Sequence, residues 1–211
     1  MTKFIKIKSF AKINISLNVV GKLKSKFHKI ESLITFAKLH DTIYIKNIKS
    51  KNHRVSFKGK FSKGIKLNNS ISKLLKIIEK NKLIKNQKFE IKIIKNIPQK
   101  SGMGGGSMNA ASLLNFFIKK KIIKFKNNEL LKLCKLIGSD VILGINPKNT
   151  VLYSNSRISR FKKKLNLFIL IVKPNFGCST KFIYSKVKNY SKPRFNRLGI
   201  NLFNPDYIAN L

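Results

Sequence analysis

The sequence predicts an α+β fold, and segments of two kinds carry that prediction. From Ile13 to Val19 every second side chain is apolar, which is typical of a half-buried strand. A second alternating stretch runs from Phe89 to Ile93, and Pro98 ends that strand. Apolar residues recur at helical spacing elsewhere, as between Ile71 and Ile78. Because strands and helices do not alternate strictly, a mixed α+β fold is favoured over a parallel α/β fold.

The other elements follow from the same criteria. Two further strands and two further helices are predicted before residue 140, namely Thr42–Lys46, Val55–Phe57, Ser107–Lys119 and Glu129–Ile137. Ser107 and Asn109 both suit a helix start, and Gly138 stops the last of these helices. An apolar strand is expected from Phe168 to Val172. The polar, basic stretch at 155–164 suggests a boundary between domains at 1–155 and 156–211.

The charge is extreme, with 46 Lys and Arg against 7 Asp and Glu and a formal net charge of +39. This balance raises the possibility of a nucleic-acid-binding protein. The basic residues are mostly Lys and are spread evenly along the chain, without a dominant patch. Ile, Asn and Phe are also abundant, and like Lys they have AT-rich codons. The excess of lysine therefore suits an AT-rich coding sequence better than a surface that binds nucleic acid. Acids are so scarce that each remaining one is informative.

Cysteines and hydropathy bear on the compartment. The two cysteines, Cys134 and Cys178, lack metal-ligand spacing and fit free thiols in a reducing environment. No apolar run approaches the length of a membrane span, and the N-terminus lacks the apolar core of a signal peptide. We therefore expect a cytoplasmic protein with no membrane partner.

The most informative stretch is the glycine-rich loop from Gly102 to Ala111, which reads GMGGGSMNAA. It lies between a predicted strand and a predicted helix. Glycines allow close approach of the backbone, and the first N–H groups of a helix carry partial positive charge, so such a loop suits a phosphate group. It is not a Walker A loop, because no Gly-Lys-Ser/Thr follows, and its glycine spacing does not match a dinucleotide fingerprint. A tight turn at a helix start is the alternative.

Three further residues are candidates for chemistry. Asp140 follows a predicted helix and could be a loop or cap residue, but phosphoryl transfer to an alcohol needs a carboxylate near the hydroxyl. Lys12 begins a polar row on the first strand and is a natural cation, although it is one lysine among many. His28 follows the first turn, where a surface or packing role is also possible.

Six segments occur in the same order along the chain as the motifs of the GHMP kinase superfamily. Within that superfamily they resemble the 4-diphosphocytidyl-2-C-methyl-D-erythritol kinase family. The first motif of that family is similar to Phe10–Leu17, and its Tyr-His segment to Phe27–Leu33. Its glycine-rich motif is similar to Ile97–Ala111. The other matching segments are Leu39–Ile43, Ile137–Val141 and Lys173–Thr180.

The resemblance implies a two-domain α+β kinase that uses ATP, with Mg²⁺, to phosphorylate the 2-hydroxyl of a cytidine diphosphate substrate. It implies Asp140 as general base with Lys12 as its partner. For ATP it implies contacts from Asn69, Pro98, Gly102, Met103, Gly104, Gly105, Gly106 and Ser107. For the small-molecule substrate it implies Asn14, Phe27, His28 and Tyr184, with the rings of Phe27 and Tyr184 stacking on cytosine. No residue is assigned as a protein ligand to metal.

The chain also departs from the family pattern. A third glycine-rich motif, expected in the second domain, is not found before Leu211, and Ser156–Ser159 stands where a Gly-x-Gly-Glu element is expected. We therefore expect an incomplete second domain. An inactive or weakened remnant of the kinase is accordingly an alternative to the active enzyme.

Overall fold

The computed structural model describes residues 3–23, 28–125, 128–162, 165–174, 176–177, 180–195 and 200–211. The first strands are β1 (Ile5–Lys22), β2 (His28–Ile48) and β3 (Arg54–Lys58). Then come α1 (Ser70–Lys80), β4 (Lys88–Ile94), α2 (Gly105–Lys119), α3 (Glu129–Ile137), α4 (Val141–Ile145), β5 (Asn149–Leu152) and β6 (Ile158–Phe161). Two short helices, α5 (Thr180–Ser185) and α6 (Pro205–Ala209), and a 3-10 turn at Ile200–Phe203 complete the described elements.

The chain forms two compact units that interleave along the sequence. The first comprises residues 1–11, 38–99 and 104–146, and the second comprises 12–37, 100–103 and 147–211. Strands β1 and β2 each contribute residues to both units. A boundary at residue 155 therefore stays a prediction.

The first unit holds a sheet and four helices around one apolar core. Strand β4 pairs antiparallel with β2, from Thr42↔Ile94 to Ile48↔Lys88, and β3 pairs parallel with β4. The helical spacing predicted in α1 is confirmed, because its apolar residues at i, i+3, i+4 and i+7 are all buried. Helix α2 contributes most to this core, with Ala110, Ala111, Leu113, Leu114, Phe116 and Phe117.

The second unit has a smaller core. Strand β5 pairs antiparallel with β2 around Leu33↔Val151, and β6 pairs antiparallel with β5. Leu33 and Val151 pack with Tyr153 and with three residues from the C-terminal part, Phe195, Leu202 and Phe203. The carboxylate of Glu31 helps to hold that part, since it accepts the backbone N–H groups of Arg194 and Phe195 at 2.7 and 3.3 Å.

The strand predicted at Phe168–Val172 is wrong. Residues 165–174 form no regular element, and Phe168, Leu170 and Val172 are almost fully exposed at 109%, 89% and 80%. A strand needs a neighbour to accept its ladder of hydrogen bonds, and no described strand pairs with this segment. The sequence pattern identified an apolar segment, but an apolar run alone does not supply the neighbouring strand.

The α+β class is confirmed by the mixture of helices and strands. Helix α3 has the predicted bounds and Gly138 as its C-cap. Among the described residues, no helix combines the length and the apolar character that crossing a membrane requires.

His53 makes stability of the first unit depend on pH. Its Nδ1 accepts the N–H of Phe89 at 3.0 Å, and its Nε2 lies 3.2 Å from Glu79. Burial lowers the pKa of His53 below its usual value, although the carboxylate of Glu79 raises it in part. The unfolded chain therefore binds a proton more readily than the folded chain does.

Consequently, we expect the urea midpoint of the protein to fall as the pH decreases from about 7.5 to 5.5, because protonation favours the unfolded chain. In His53→Asn the amide oxygen can still accept the N–H of Phe89 but does not titrate. The decrease should be smaller in this variant. Equal decreases in both proteins would contradict the assignment to His53.

Candidate active site

The glycine-rich loop leads into the first turn of helix α2, and that turn is left without a capping side chain. Lys100, Gly102 and Gly104 have positive φ, at 53°, 74° and 65°. Gly104 is the N-cap of α2 in the left-handed region, no side-chain hydrogen bond caps the helix, and its first turn holds no acid. The N–H groups there suit an anion such as phosphate. The helix begins two residues before the predicted start, so the expected caps at Ser107 and Asn109 are wrong.

The start of helix α1 lies against the start of α2 in the first unit. A Cβ atom on Gly106 would lie 3.1 Å from the Oγ atom of Ser70, the first residue of α1. The N-terminal ends of both helices carry partial positive charge, so their proximity strengthens the attraction for an anion. Asn69 caps α1, with its Oδ1 accepting the N–H groups of Ile71 and Ser72 at 3.0 and 3.1 Å.

The segment that carries Asp140 also lies beside the first turn of α2. A Cβ atom on Gly138 would be 3.5 Å from the Oγ atom of Ser107. Asp140 is half-buried and occupies the N-cap position of α4, yet its side chain makes no capping hydrogen bond. Gly138 thus lies beside the first turn of α2 within the first unit, and the approach of the Asp140 carboxylate to a bound phosphate stays a prediction.

Lys12 and the substrate residues belong to the second unit. Lys12 is buried, and its backbone N–H donates to the carbonyl of Met103 at 3.1 Å, next to the glycine-rich turn. Asn14 donates from Nδ2 to the Oγ atom of Ser32 at 2.7 Å. That hydroxyl donates in turn to the carbonyl of Ser16 at 2.6 Å, so the Asn14 amide is held in one orientation. Pairing of the Lys12 ammonium with Asp140 stays a prediction.

The rings of His28 and Tyr184 stack, with centroids 5.0 Å apart and planes inclined by 18°. These residues are far apart in sequence, and the resemblance assigned both to the substrate. Their contact forms an aromatic surface on the second unit. Phe27, predicted to stack on the same base, lies outside the described residues.

Sequence reasoning missed the roles of two buried acids, Asp41 and Glu31. Both are completely buried. Asp41 contacts Lys95, Asn109 and the backbone N–H groups of Asn96 and Ile97, where the chain leaves β4. The scarcity of acids was the available signal, because a carboxylate retained in a chain of charge +39 is expected to have a specific partner.

The comparisons with known proteins agree with this geometry. A family profile described as "GHMP kinases N terminal domain" matches residues 69–147, which include α1, the glycine-rich loop and Asp140. A solved 4-(cytidine 5'-diphospho)-2C-methyl-D-erythritol kinase superposes with a TM-score of 0.60 at 20% identity, covering 74% of this chain and 55% of that one. Homoserine kinase from Cytophaga hutchinsonii gives 0.62 at 16% identity, with 90% and 62% covered. The chain thus has the fold of a GHMP kinase.

The 4-diphosphocytidyl-2-C-methyl-D-erythritol kinase of Pelagibacter ubique is 61% identical over 206 residues, which are 98% of this chain and 73% of that protein. The chain belongs to the 4-diphosphocytidyl-2-C-methyl-D-erythritol kinase family. The resemblance found from the motifs is therefore confirmed. None of these comparisons favours a nucleic-acid-binding protein.

Replacement of Gly104 by Ala tests the role of the loop. A side chain at this φ costs about 1 kcal/mol of folding free energy, and we expect the distorted helix start to weaken adenine nucleotide binding about tenfold. Gly64→Ala is the matched control, because Gly64 has a similar φ of 78° and open space around it. Urea unfolding should show similar losses for both variants, whereas calorimetric titration with an ATP analogue should separate them. Equal affinities would contradict the assigned role.

Proposed function

We propose that the chain transfers the γ-phosphoryl group of ATP to the 2-hydroxyl of 4-diphosphocytidyl-2-C-methyl-D-erythritol. The observation that carries this proposal is the 61% identity to the Pelagibacter ubique kinase over 98% of the chain. The uncapped, glycine-rich start of α2 supports it, because that turn suits the phosphates of a nucleotide. The cytoplasmic location stays a prediction that rests on cysteine usage.

In this mechanism the N–H groups from Gly102 to Ser107 hold the β- and γ-phosphates. Phosphoryl transfer depends mainly on positioning and on stabilisation of charge, and fixed N–H groups provide both. Pro98 and Met103 would flank the nucleotide. The side chain of Asn69 is engaged in capping α1, so its contribution near adenine would be to fix the turn at residues 66–69, whose carbonyls at Lys66 and Leu67 it also contacts.

Asp140 would accept the proton of the 2-hydroxyl as the oxygen attacks the γ-phosphorus, while the bond from that phosphorus to the β–γ bridging oxygen breaks and ADP leaves. Lys12 would favour the ionised carboxylate and orient the hydroxyl. Mg²⁺ would neutralise charge on the phosphates when bound. Within the described ranges no three His, Cys, Asp or Glu side chains gather closely enough to hold a metal.

The cytidine end of the substrate would bind at Asn14, Phe27, His28 and Tyr184. Since the His28 and Tyr184 rings are already stacked at 5.0 Å, a third ring does not fit between them. Cytosine would therefore bind beside this stacked pair rather than between its rings.

Asp140→Asn tests the base. The amide keeps the shape of the side chain but accepts no proton, so kcat should fall by about 10²- to 10⁴-fold while the KM for ATP changes little. The assay is ATP-dependent phosphorylation of the cytidine diphosphate substrate. Undiminished kcat would exclude Asp140 as the base. Nucleotide binding without turnover in the unmodified chain would favour the inactive remnant.

Tyr184→Ala tests the aromatic surface. Loss of one stacked base typically costs enough to raise the KM for the cytidine substrate about tenfold or more, with the KM for ATP unaffected. Tyr184→Phe is the matched control, because it retains the ring and should stay close to the unmodified protein. An unchanged KM in the alanine variant would contradict base stacking at this residue.

A further inference from the structure

Asp41, Lys95 and Asn109 form a buried polar cluster beside Gly105, the first residue of α2. Asp41 lies on β2, Lys95 directly follows β4 and Asn109 lies one turn into α2. All three are almost completely inaccessible to solvent. They belong to the first unit and include neither predicted catalytic residue.

The carboxylate of Asp41 joins three parts of this unit. Its Oδ1 accepts the N–H groups of Asn96 and Ile97 at 2.7 and 2.8 Å, where the chain leaves β4 for the loop. Its Oδ2 pairs with the ammonium of Lys95 and accepts the amide N–H of Asn109 at 3.0 Å. Each carboxylate oxygen therefore has two donors, which satisfies its capacity as an acceptor.

Lys95 connects this cluster to the first residue of α2. A Cβ atom on Gly105 would lie 3.3 Å from Lys95 Nζ and 3.1 Å from Ile97 Cγ2. The backbone of Lys95 is itself fixed, since its N–H donates to the carbonyl of Lys58 at 2.7 Å. The ammonium thus lies against the first residue of α2, and a side chain at Gly105 would require Lys95 or Ile97 to shift by a few tenths of an ångström.

A buried ion pair contributes little net stability, because desolvation of both charges offsets their attraction. The hydrogen bonds of the cluster instead indicate that it fixes the position of the neighbouring backbone. We propose that Asp41, Lys95 and Asn109 are positioning residues, which fix the Asn96–Ile97 amides and the first turn of α2 so that the phosphate loop is preorganised for ATP. This inference rests on the proposed use of ATP and adds the residues that prepare the loop for it.

The variant Asp41→Asn/Lys95→Met removes both charges without leaving one buried alone. Its affinity for a non-hydrolysable ATP analogue should fall about tenfold or more, because a loop displaced by a fraction of an ångström no longer matches the phosphates. The KM for the cytidine substrate should change less than about twofold. Hydrogen exchange of the Met108 amide, which donates to the carbonyl of Gly104 at 2.8 Å in the first hydrogen bond of α2, should accelerate without nucleotide.

Glu79→Gln/Lys88→Met is the matched control. Glu79 and Lys88 form another ion pair in the same unit, at the opposite end of β4 from Lys95. This variant should retain the affinity for the analogue and the slow exchange of the Met108 amide. Asn109→Ala provides a milder test, since it removes one donor and leaves the ion pair in place, and we expect an intermediate loss of affinity.

The outcomes are distinguishable. Analogue binding by the unmodified protein together with selective loss in the Asp41/Lys95 variant and in Asn109→Ala supports the positioning role. Should the double variant fail to fold, unchanged affinity and exchange in Asn109→Ala would overturn it. Equal losses in the Glu79/Lys88 control would also overturn it, since the effect would then be general instability. Absence of analogue binding in the unmodified protein would overturn the proposed function as well.

Discussion

The first turn of helix α2 imposes the main constraint on the first unit. Its N–H groups have no acceptor within the helix, and the protein supplies neither a capping side chain nor an acid there. Such a turn is stable only if the surrounding backbone holds it in place. Gly104 provides the left-handed residue that starts the helix, and a large apolar face from Ala110 to Phe117 anchors the remainder in the core. The buried apolar face of α2 thus holds the helix in place, while its uncapped N-terminal turn carries partial positive charge.

The retained acids show how a chain of charge +39 distributes its few carboxylates. Asp41 and Glu31 are completely buried, one in each unit, and each connects a strand to a distant segment through backbone N–H groups. Glu79 pairs with Lys88 beside the buried ring of His53. Buried carboxylates that accept several hydrogen bonds fix geometry more than they add net stability. The acids therefore organise the chain, while the abundant lysines mostly face solvent.

Much of the fold could be predicted from local pattern. The buried face of α1, the bounds of α3 and the strand before Pro98 all follow from apolar periodicity and from helix-stop residues. Helix α2 was predicted to begin too late, because Ser107 and Asn109 are good caps in isolation. In the structure the side chain of Asn109 donates a hydrogen bond to Asp41, and Gly104 is the N-cap of the helix. Such long-range pairing carries no local signal.

The sequence predicted which residues belong to the candidate site better than it predicted which of them contact each other. Motif order identified Asp140, Lys12, His28 and Tyr184, and the stacking of the last two is a tertiary contact across more than 150 residues. Periodicity could not find the cluster around Asp41, because its members are far apart in sequence, and the resemblance placed Asp41 in a motif without indicating Lys95 and Asn109 as its partners. Tertiary context decides whether a Lys is solvated or buried.

The exposed segment at 165–174 affects how the protein behaves at high concentration. Its side chains from Leu167 to Val172 are all apolar, and its backbone polar groups lack a neighbouring strand among the described residues. Such a segment is a template for aggregation, which natural proteins usually prevent by covering or charging it. Here mutual repulsion between highly cationic molecules opposes self-association, and added electrolyte screens that repulsion over about 10 Å at 0.1 M. Colloidal stability of this chain is therefore greatest in dilute buffer.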